Sequence, residues 1–311
     1  YSGQCGRGHS GRAGDGVHRA GYHTREGRNV MKKGDKAGIV CCSNGLSAER
    51  KEDVQKLVSA LTKIGITPVM SEYIYTRSAV FSGTGRERAQ ALMRFYEDNE
   101  VRAIFDISGG DIANEILPYL DFDVIQAHPK QFWGYSDLTS IINAVYAMTG
   151  CEGVLYQVMN LIRDESGLQR ERFAKTVLTD GNSLFTFPYE FIQGDYMEGI
   201  VAGGNIRCLL KLAGTAFFPD MTDKILVLEA LGGSVAQFVA YLSQLACMGV
   251  FSKIKGIVLG TFTQMEAENA QPDITTLVQE YAKGLPVIKT SKIGHGADSC
   301  GIVIGSYRVF S

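Results

Sequence analysis

Short apolar runs that stop at small polar turns, each followed by a stretch of helical period, constrain this chain more than any other feature. Ala37 to Cys42 is such a run, and it ends in Ser43-Asn44-Gly45. Ser47 then caps a helix whose Val54, Leu57, Val58, Leu61 and Ile64 share one face, and Gly65 ends it. Ile66 to Met70 is the next strand. Strand, crossover helix and strand make a βαβ unit, and such units give parallel sheets, so the chain reads as an α/β protein.

The same logic carries forward. Ser82-Gly83-Thr84-Gly85 resembles a phosphate loop but follows no strand; Thr84 and Glu87 instead make a capping box for a helix from Arg86 to Tyr96. Val101 to Ile107 is a buried strand running into Ser108-Gly109-Gly110-Asp111, with a helix expected through Ile112, Ile116, Leu117 and Leu120. The paired glycines serve either a tight turn or a backbone site for an anion. A strand is expected at Val124 to Ala127, leading through His128-Pro129 to the stretch from Phe132 to Thr139. There Gly134 lets the backbone turn, and Ser136 falls where strand gives way to a helix carrying Leu138, Ile141, Ile142, Val145 and Met148, stopped at Gly150. A serine at such a corner is either a helix cap or a nucleophile whose oxyanion the free N–H groups beside it can hold. Both corners fall at the carboxyl edge of one parallel sheet, where open α/β folds bind ligands.

Beyond Gly150 the pattern loosens. Residues 163 to 183 are polar with little periodicity and read as a connection between domains; the aromatic run Leu184 to Tyr189 reads as part of a hairpin. A second unit follows, with a strand at Glu198 to Ala202, a Gly203-Gly204-Asn205 turn and a helix from Ile206 to Leu212. Lys224 to Glu229 is a strong strand ending in an acid, and Val235 to Met248 is a long helix. Strands at Ile254 to Gly260 and Pro286 to Ile288 flank a helix from Ile274 to Ala282. Ile293 to Asp298 is a glycine-flanked loop, and Ile302 to Phe310 closes the chain as strand or hairpin.

A net charge of −2 over 311 residues offers no electrostatic footprint for nucleic acid or an anionic membrane. No apolar run approaches the ~20 residues of a membrane helix. The seven cysteines are odd in number and lack Cys-x-x-Cys spacing, which suits a reducing cytoplasm and argues against zinc or a disulfide framework. Residues 1–30, rich in Gly, Arg and His, read as an expression-derived or disordered extension. Residues 31–183 then form an N-terminal α/β domain, and residues 184–311 a C-terminal one. Because His9, His18 and His23 lie in the extension, His128 and His295 are the candidates for a catalytic imidazole.

Glu229, at the end of an apolar strand, needs a donor, since an unpaired carboxylate is costly to bury. It is either paired with an arginine or a backbone N–H, or it orients an imidazole. His295, held between two glycines, is either a loop residue with local bonds or a general base. With Ser136 they supply a nucleophile, a base and an acid, and chain order does not restrict triad geometry.

The segments Gly134-Tyr135-Ser136-Asp137-Leu138-Thr139, Gly203-Gly204-Asn205, Val227-Leu228-Glu229-Ala230 and Ile293-Gly294-His295-Gly296 resemble the signatures of the LD-carboxypeptidase family of serine peptidases. That family includes muropeptide LD-carboxypeptidases and microcin C self-immunity peptidases, and the resemblance spans about residues 31 to 311. It implies Ser136 as nucleophile, His295 as base, Glu229 as orienting acid, and an oxyanion hole from the N–H groups of Gly110 and Asp137. No metal and no cofactor are implied. The implied fold is an N-terminal flavodoxin-like parallel-sheet domain and a C-terminal swivelling β/β/α domain, usually dimeric, with the cleft between them. Asp111, Asn205 and Tyr189 are expected to meet the substrate. Two departures bear on that substrate. Ser108 stands where muropeptide-cleaving members usually carry arginine, as in the microcin immunity branch, and Tyr156-Gln157-Val158-Met159 replaces a common His-Gly-Pro turn. The expected activity is hydrolysis of an amide bond in a small peptide or peptide conjugate, either an aminoacyl or peptidyl nucleotide or a muropeptide. The competing reading is a catalytically silent ligand-binding protein of the same fold.

Overall fold

The computed structural model describes residues 30–179 and 181–311, together with the strands at 18–19 and 21–22. The rest of the expected extension, with His9 and His23, lies outside the described residues.

In chain order the strands are β1 (His18–Arg19), β2 (Gly21–Tyr22), β3 (Lys36–Val40), β4 (Thr67–Met70), β5 (Val101–Asp106), β6 (Gln131–Gly134) and β7 (Gly153–Leu155). They continue with β8 (Pro188–Gln193), β9 (Met197–Asn205), β10 (Lys224–Ala230), β11 (Gly256–Phe262), β12 (Val287–Lys289), β13 (Ile302–Ile304) and β14 (Tyr307–Phe310). The α-helices are α1 (Lys51–Ile64), α2 (Gly85–Glu97), α3 (Phe122–Ala127), α4 (Thr139–Thr149) and α5 (Asn160–Arg163). After them come α6 (Leu168–Thr179), α7 (Ile206–Leu210), α8 (Val235–Cys247), α9 (Thr263–Ala267) and α10 (Ile274–Tyr281).

The first sheet runs β13-β7-β6-β5-β3-β4, with β3 to β7 parallel and β13 antiparallel at one edge. Its parallel strands have the flavodoxin order, so the crevice at which the strand order reverses opens between β3 and β5. Alternation puts Ile104 and Phe132 on one face of this sheet and Phe105 and Trp133 on the other. Trp133 is the hub of the second face, its ring 5.8 Å from Phe105, 5.4 Å from Phe173 and 5.9 Å from Phe185. Such aromatic pairs add about 0.5–1.5 kcal/mol each beyond the area they bury.

The second sheet runs β1-β8-β12-β11-β10-β9-β14-β2. Its centre, β9 to β12, is parallel, with antiparallel β8 and β14 on either side. The sheet curls until β8 meets β14: the rings of Tyr189 and Phe310 lie 5.2 Å apart, and the Tyr189 hydroxyl donates to the Ser311 carbonyl at 3.0 Å. Two mixed sheets, the first mainly parallel and the second parallel at its centre, with flanking helices make this the α/β fold that the sequence pointed to.

Several local expectations change. Val124 to Ala127 is not a strand but belongs to α3, where the Asp121 side chain accepts from the Val124 N–H at 3.0 Å; the β-branched pair Val124-Ile125 hid the cap. The polar stretch 163–183 contains α6, whose buried side carries Gln169 and Thr176 beside Phe173 and Val177, so its apolar period is interrupted. After Gly110-Asp111 the chain makes a 3₁₀ helix at Ala113–Tyr119. Leu184 to Tyr189 forms no hairpin, because β8 pairs with β12 while β9 pairs with β10 and β14. Ile302 to Phe310 divides instead of folding back: β13 joins the first sheet and β14 the second. No helix among the described residues is long and apolar enough to cross a membrane.

Candidate active site

The carboxyl ends of the two parallel sheets meet. From the first sheet comes Ser136, just after β6. Its backbone is left-handed, φ 56°, a conformation that costs a non-glycine residue about 1–2 kcal/mol and that marks nucleophile elbows. Every residue from Phe132 to Val145 is buried except Ser136, which is half-exposed. Gly134 is required at the corner, since a Cβ there would lie 2.7 Å from the Leu138 Cβ. Ser136 to Leu138 form one 3₁₀ turn that continues into α4.

The adjacent corner, after β5, approaches Ser136 through Asp137. That carboxylate is wholly buried, and Oδ2 accepts from the Ser43 hydroxyl at 2.6 Å and from the Ala113 N–H at 2.8 Å, while Oδ1 pairs with the Lys211 ammonium. Its charge is thereby compensated, and the turns after β3, β5 and β6 are tied together. Lys211 also donates to the Asp111 carbonyl at 2.7 Å, and Arg207 donates to the Gly110 carbonyl at 3.0 Å while pairing with the Asp111 side chain. Gly110 has φ 123°, and a Cβ on it would sit 2.2 Å from the Asn44 side-chain carbon. No acceptor among the described residues takes the N–H of Gly110 or of Asp137.

From the second sheet come Glu229 and His295. Glu229, the last residue but one of β10, is in register with Asn205 of β9, whose side-chain amide donates to Glu229 Oε1 at 3.0 Å. His295 Nδ1 stands 2.9 Å from Glu229 Oε2, a close approach whose alignment falls short of a hydrogen bond. Catalytic hydrogen bonds are often poorly aligned before substrate arrives. The Tyr135 ring, one residue before Ser136, meets the His295 ring edge-on at 5.1 Å, which brings the serine corner beside the imidazole.

The His295 loop is held from the first half of the chain. Asn160 donates to the Gly296 carbonyl at 3.3 Å, Arg163 to the His295 carbonyl at 3.2 Å and Gln169 to the Ser299 carbonyl at 3.1 Å. Sequence reading missed all three, because such contacts span more than 120 residues and leave no local pattern.

The residues expected to meet substrate separate. Asp111 stays exposed at the cleft edge, its carboxyl held below the usual range chiefly by its hydrogen bond from Arg207. Asn205 is buried, its amide given to Glu229 and its carbonyl accepting from the Cys208 N–H at 3.3 Å, so it orients the acid. Tyr189 is buried in the seam of the second sheet against Phe191 and Phe310 and does not present its ring to the cleft. Ser108 points inward, donating to Asp106 Oδ1 at 2.6 Å, and Tyr156 is buried with its hydroxyl on Gln169 at 2.7 Å. Among the described residues no group of three or more His, Cys, Asp or Glu side chains is placed to hold a metal ion.

Residues 37–157 match the LD-carboxypeptidase N-terminal domain and residues 198–308 the LD-carboxypeptidase C-terminal domain. The chain belongs to the LD-carboxypeptidase family, and is a serine carboxypeptidase. It is 28% identical over 304 residues to the putative carboxypeptidase YocD of Bacillus subtilis (strain 168), covering 88% of this chain and 93% of that one. It is 27% identical over 296 residues to the microcin C7 self-immunity protein MccF of Escherichia coli, covering 84% and 86%. Among solved structures, the MccF-like protein from Bacillus anthracis str. Ames superposes with a TM-score of 0.80 at 25% identity, over 90% of this chain and 98% of the other.

Proposed function

We propose that the chain is an amide hydrolase with a Ser136-His295-Glu229 triad, acting near the carboxyl end of a small peptide conjugate of the aminoacyl-nucleotide type. The Glu229–His295 approach beside the left-handed Ser136 carries this reading. In the proposed reaction Ser136 Oγ attacks the carbonyl carbon while His295 Nε2 takes its proton. The N–H groups of Gly110 and Asp137 hold the oxyanion, and the imidazolium then protonates the leaving amine. Water attacks the acyl-serine, His295 again moves the proton, and Ser136 is regenerated. Glu229 stabilises the imidazolium, with Asn205 fixing its other oxygen.

The substrate class rests on Ser108. With its hydroxyl turned onto Asp106, this position offers no fixed cation for the terminal carboxylate of a muropeptide. Arg207 and Lys211, the nearby cations, are already paired with Asp111 and Asp137. The relative named for microcin C7 self-immunity agrees with that choice.

The test is incubation with an aminoacyl-sulfamoyl adenosine and an L,D-tetrapeptide, read by mass spectrometry, with Ser136→Ala as control. Serine-dependent cleavage of the nucleotide conjugate supports the proposal. Cleavage of the tetrapeptide alone overturns the substrate class but keeps the triad. Cleavage by the alanine variant, or failure of a fluorophosphonate to label Ser136, overturns the triad itself.

A further inference from the structure

Tyr135 is 3% exposed and lies in extended backbone at the end of β6. Its hydroxyl is buried with no hydrogen-bond partner, and so is Glu229 Oε2. A buried phenol without a partner destabilises the fold, a cost that a phenylalanine at the same place would avoid. Burial first, and then the neighbouring Glu229 carboxylate, push the Tyr135 phenol well above its usual range, so it stays a neutral donor. The groups that face this pair from the surrounding elements are His295, the Asn205 amide on Glu229 Oε1, and Arg163 on the carbonyl of His295.

We propose that Tyr135 is a positioning residue for the triad, donating its O–H to Glu229 Oε2 in the substrate-bound enzyme while its ring fixes the plane of the His295 imidazole. This rests on the serine-triad reading. The carboxylate then has one donor on each oxygen besides the imidazole, and cannot rotate away from Nδ1. Because Tyr135 belongs to the first sheet and Glu229 to the second, the phenol also ties the alignment of the triad to the alignment of the sheets.

The test uses Tyr135→Phe and Tyr135→Leu, each first shown to be folded by circular dichroism, against whichever amide substrate the wild type cleaves. For Tyr135→Phe, kcat falls about tenfold to a hundredfold, as for other outer-layer partners of catalytic groups. KM stays within about twofold, because no substrate contact is lost. The acid limb of kcat/KM moves to higher pH, since a carboxylate with one donor fewer holds the imidazolium more tightly. Tyr135→Leu is slower again. An unchanged kcat and acid limb in folded Tyr135→Phe overturn the proposal, and equal rates for the two variants overturn the part assigned to the ring. If the wild type shows no serine-dependent cleavage or labelling, the triad reading has failed. The positioning role falls with it, whereas serine-dependent cleavage that is indifferent to Tyr135→Phe overturns the positioning role alone.

Discussion

The side-chain amide of Asn143 and the peptide unit of Gly203 exchange two hydrogen bonds, each 2.8 Å long, across the seam between the sheets. Asn143 lies on α4, the helix that begins behind Ser136, and Gly203 lies on β9, two residues before Asn205. Pairing of β14 with β9 reaches no further than Tyr307 opposite Ile200, so Asn143 supplies the donor and acceptor that a neighbouring strand would have offered. Replacement by leucine strands both groups of Gly203 in a buried place. Asn143→Leu is expected to lose about 2–4 kcal/mol of stability, read as the midpoint of urea unfolding. A midpoint within error of the wild type would show that the two halves do not depend on this bridge.

Two adjacent glycines should respond oppositely. A Cβ on Gly109 meets nothing within 4 Å, whereas one on Gly110 strikes Asn44 in a left-handed backbone. Gly109→Ala is expected to keep full activity. Gly110→Ala should lose about a hundredfold to a thousandfold in kcat, the usual loss when an oxyanion donor is displaced. Equal activity of the two variants would remove Gly110 from the oxyanion hole.

Lys211 is the cation that the buried Asp137 depends on. Lys211→Met leaves that carboxylate uncompensated and is expected to cost about 3–5 kcal/mol, while the double change with Asp137→Asn should cost less than the sum of the two single changes. Additive losses in a double-mutant cycle of thermal unfolding would deny the pairing.

Acid should loosen the loop after β5. The Asp111 carboxyl is lowered in the folded chain by Arg207, so its contribution is present above the unfolded value of about 4 and is lost as pH falls through the folded one. Both side chains reach solvent, and the effect on global stability is of surface-pair size. An NMR titration of the Asp111 carboxyl should show a lower midpoint in the wild type than in Arg207→Ala. Identical midpoints would contradict the clamp.

The sequence disclosed what repeats locally. The β3-α1-β4 unit, the Thr84–Glu87 capping box and the corner at Ser136 all announce themselves within about a dozen residues, because caps, glycine stops and apolar period are local. The triad candidates were legible only as separate residues, each with an ordinary alternative, until four motifs together suggested a family. What stayed hidden depends on distant chain. Helix α6 was concealed because Gln169 faces inward to serve Tyr156 and Ser299, and no hydropathy pattern advertises a buried glutamine. Tyr189 looked like a cleft aromatic because its partners Phe310 and Ser311 are more than 100 residues away. Asn205 read as part of a turn and as a substrate contact, while its bond to Glu229, on the neighbouring strand, stayed hidden.

The division of the last ten residues between the sheets restricts how the cleft can open. The chain passes from one sheet to the other between β7 and β8, returns to the first for β13, and crosses again at Gly305-Ser306 to reach β14. With crossings at β7–β8, β12–β13 and Gly305-Ser306, the two halves cannot separate without straining the shortest of the three, the two residues Gly305-Ser306, so any opening has to turn close to that point. A protease nick anywhere between α6 and β8 would therefore leave the C-terminal piece still threaded into the first sheet through β13.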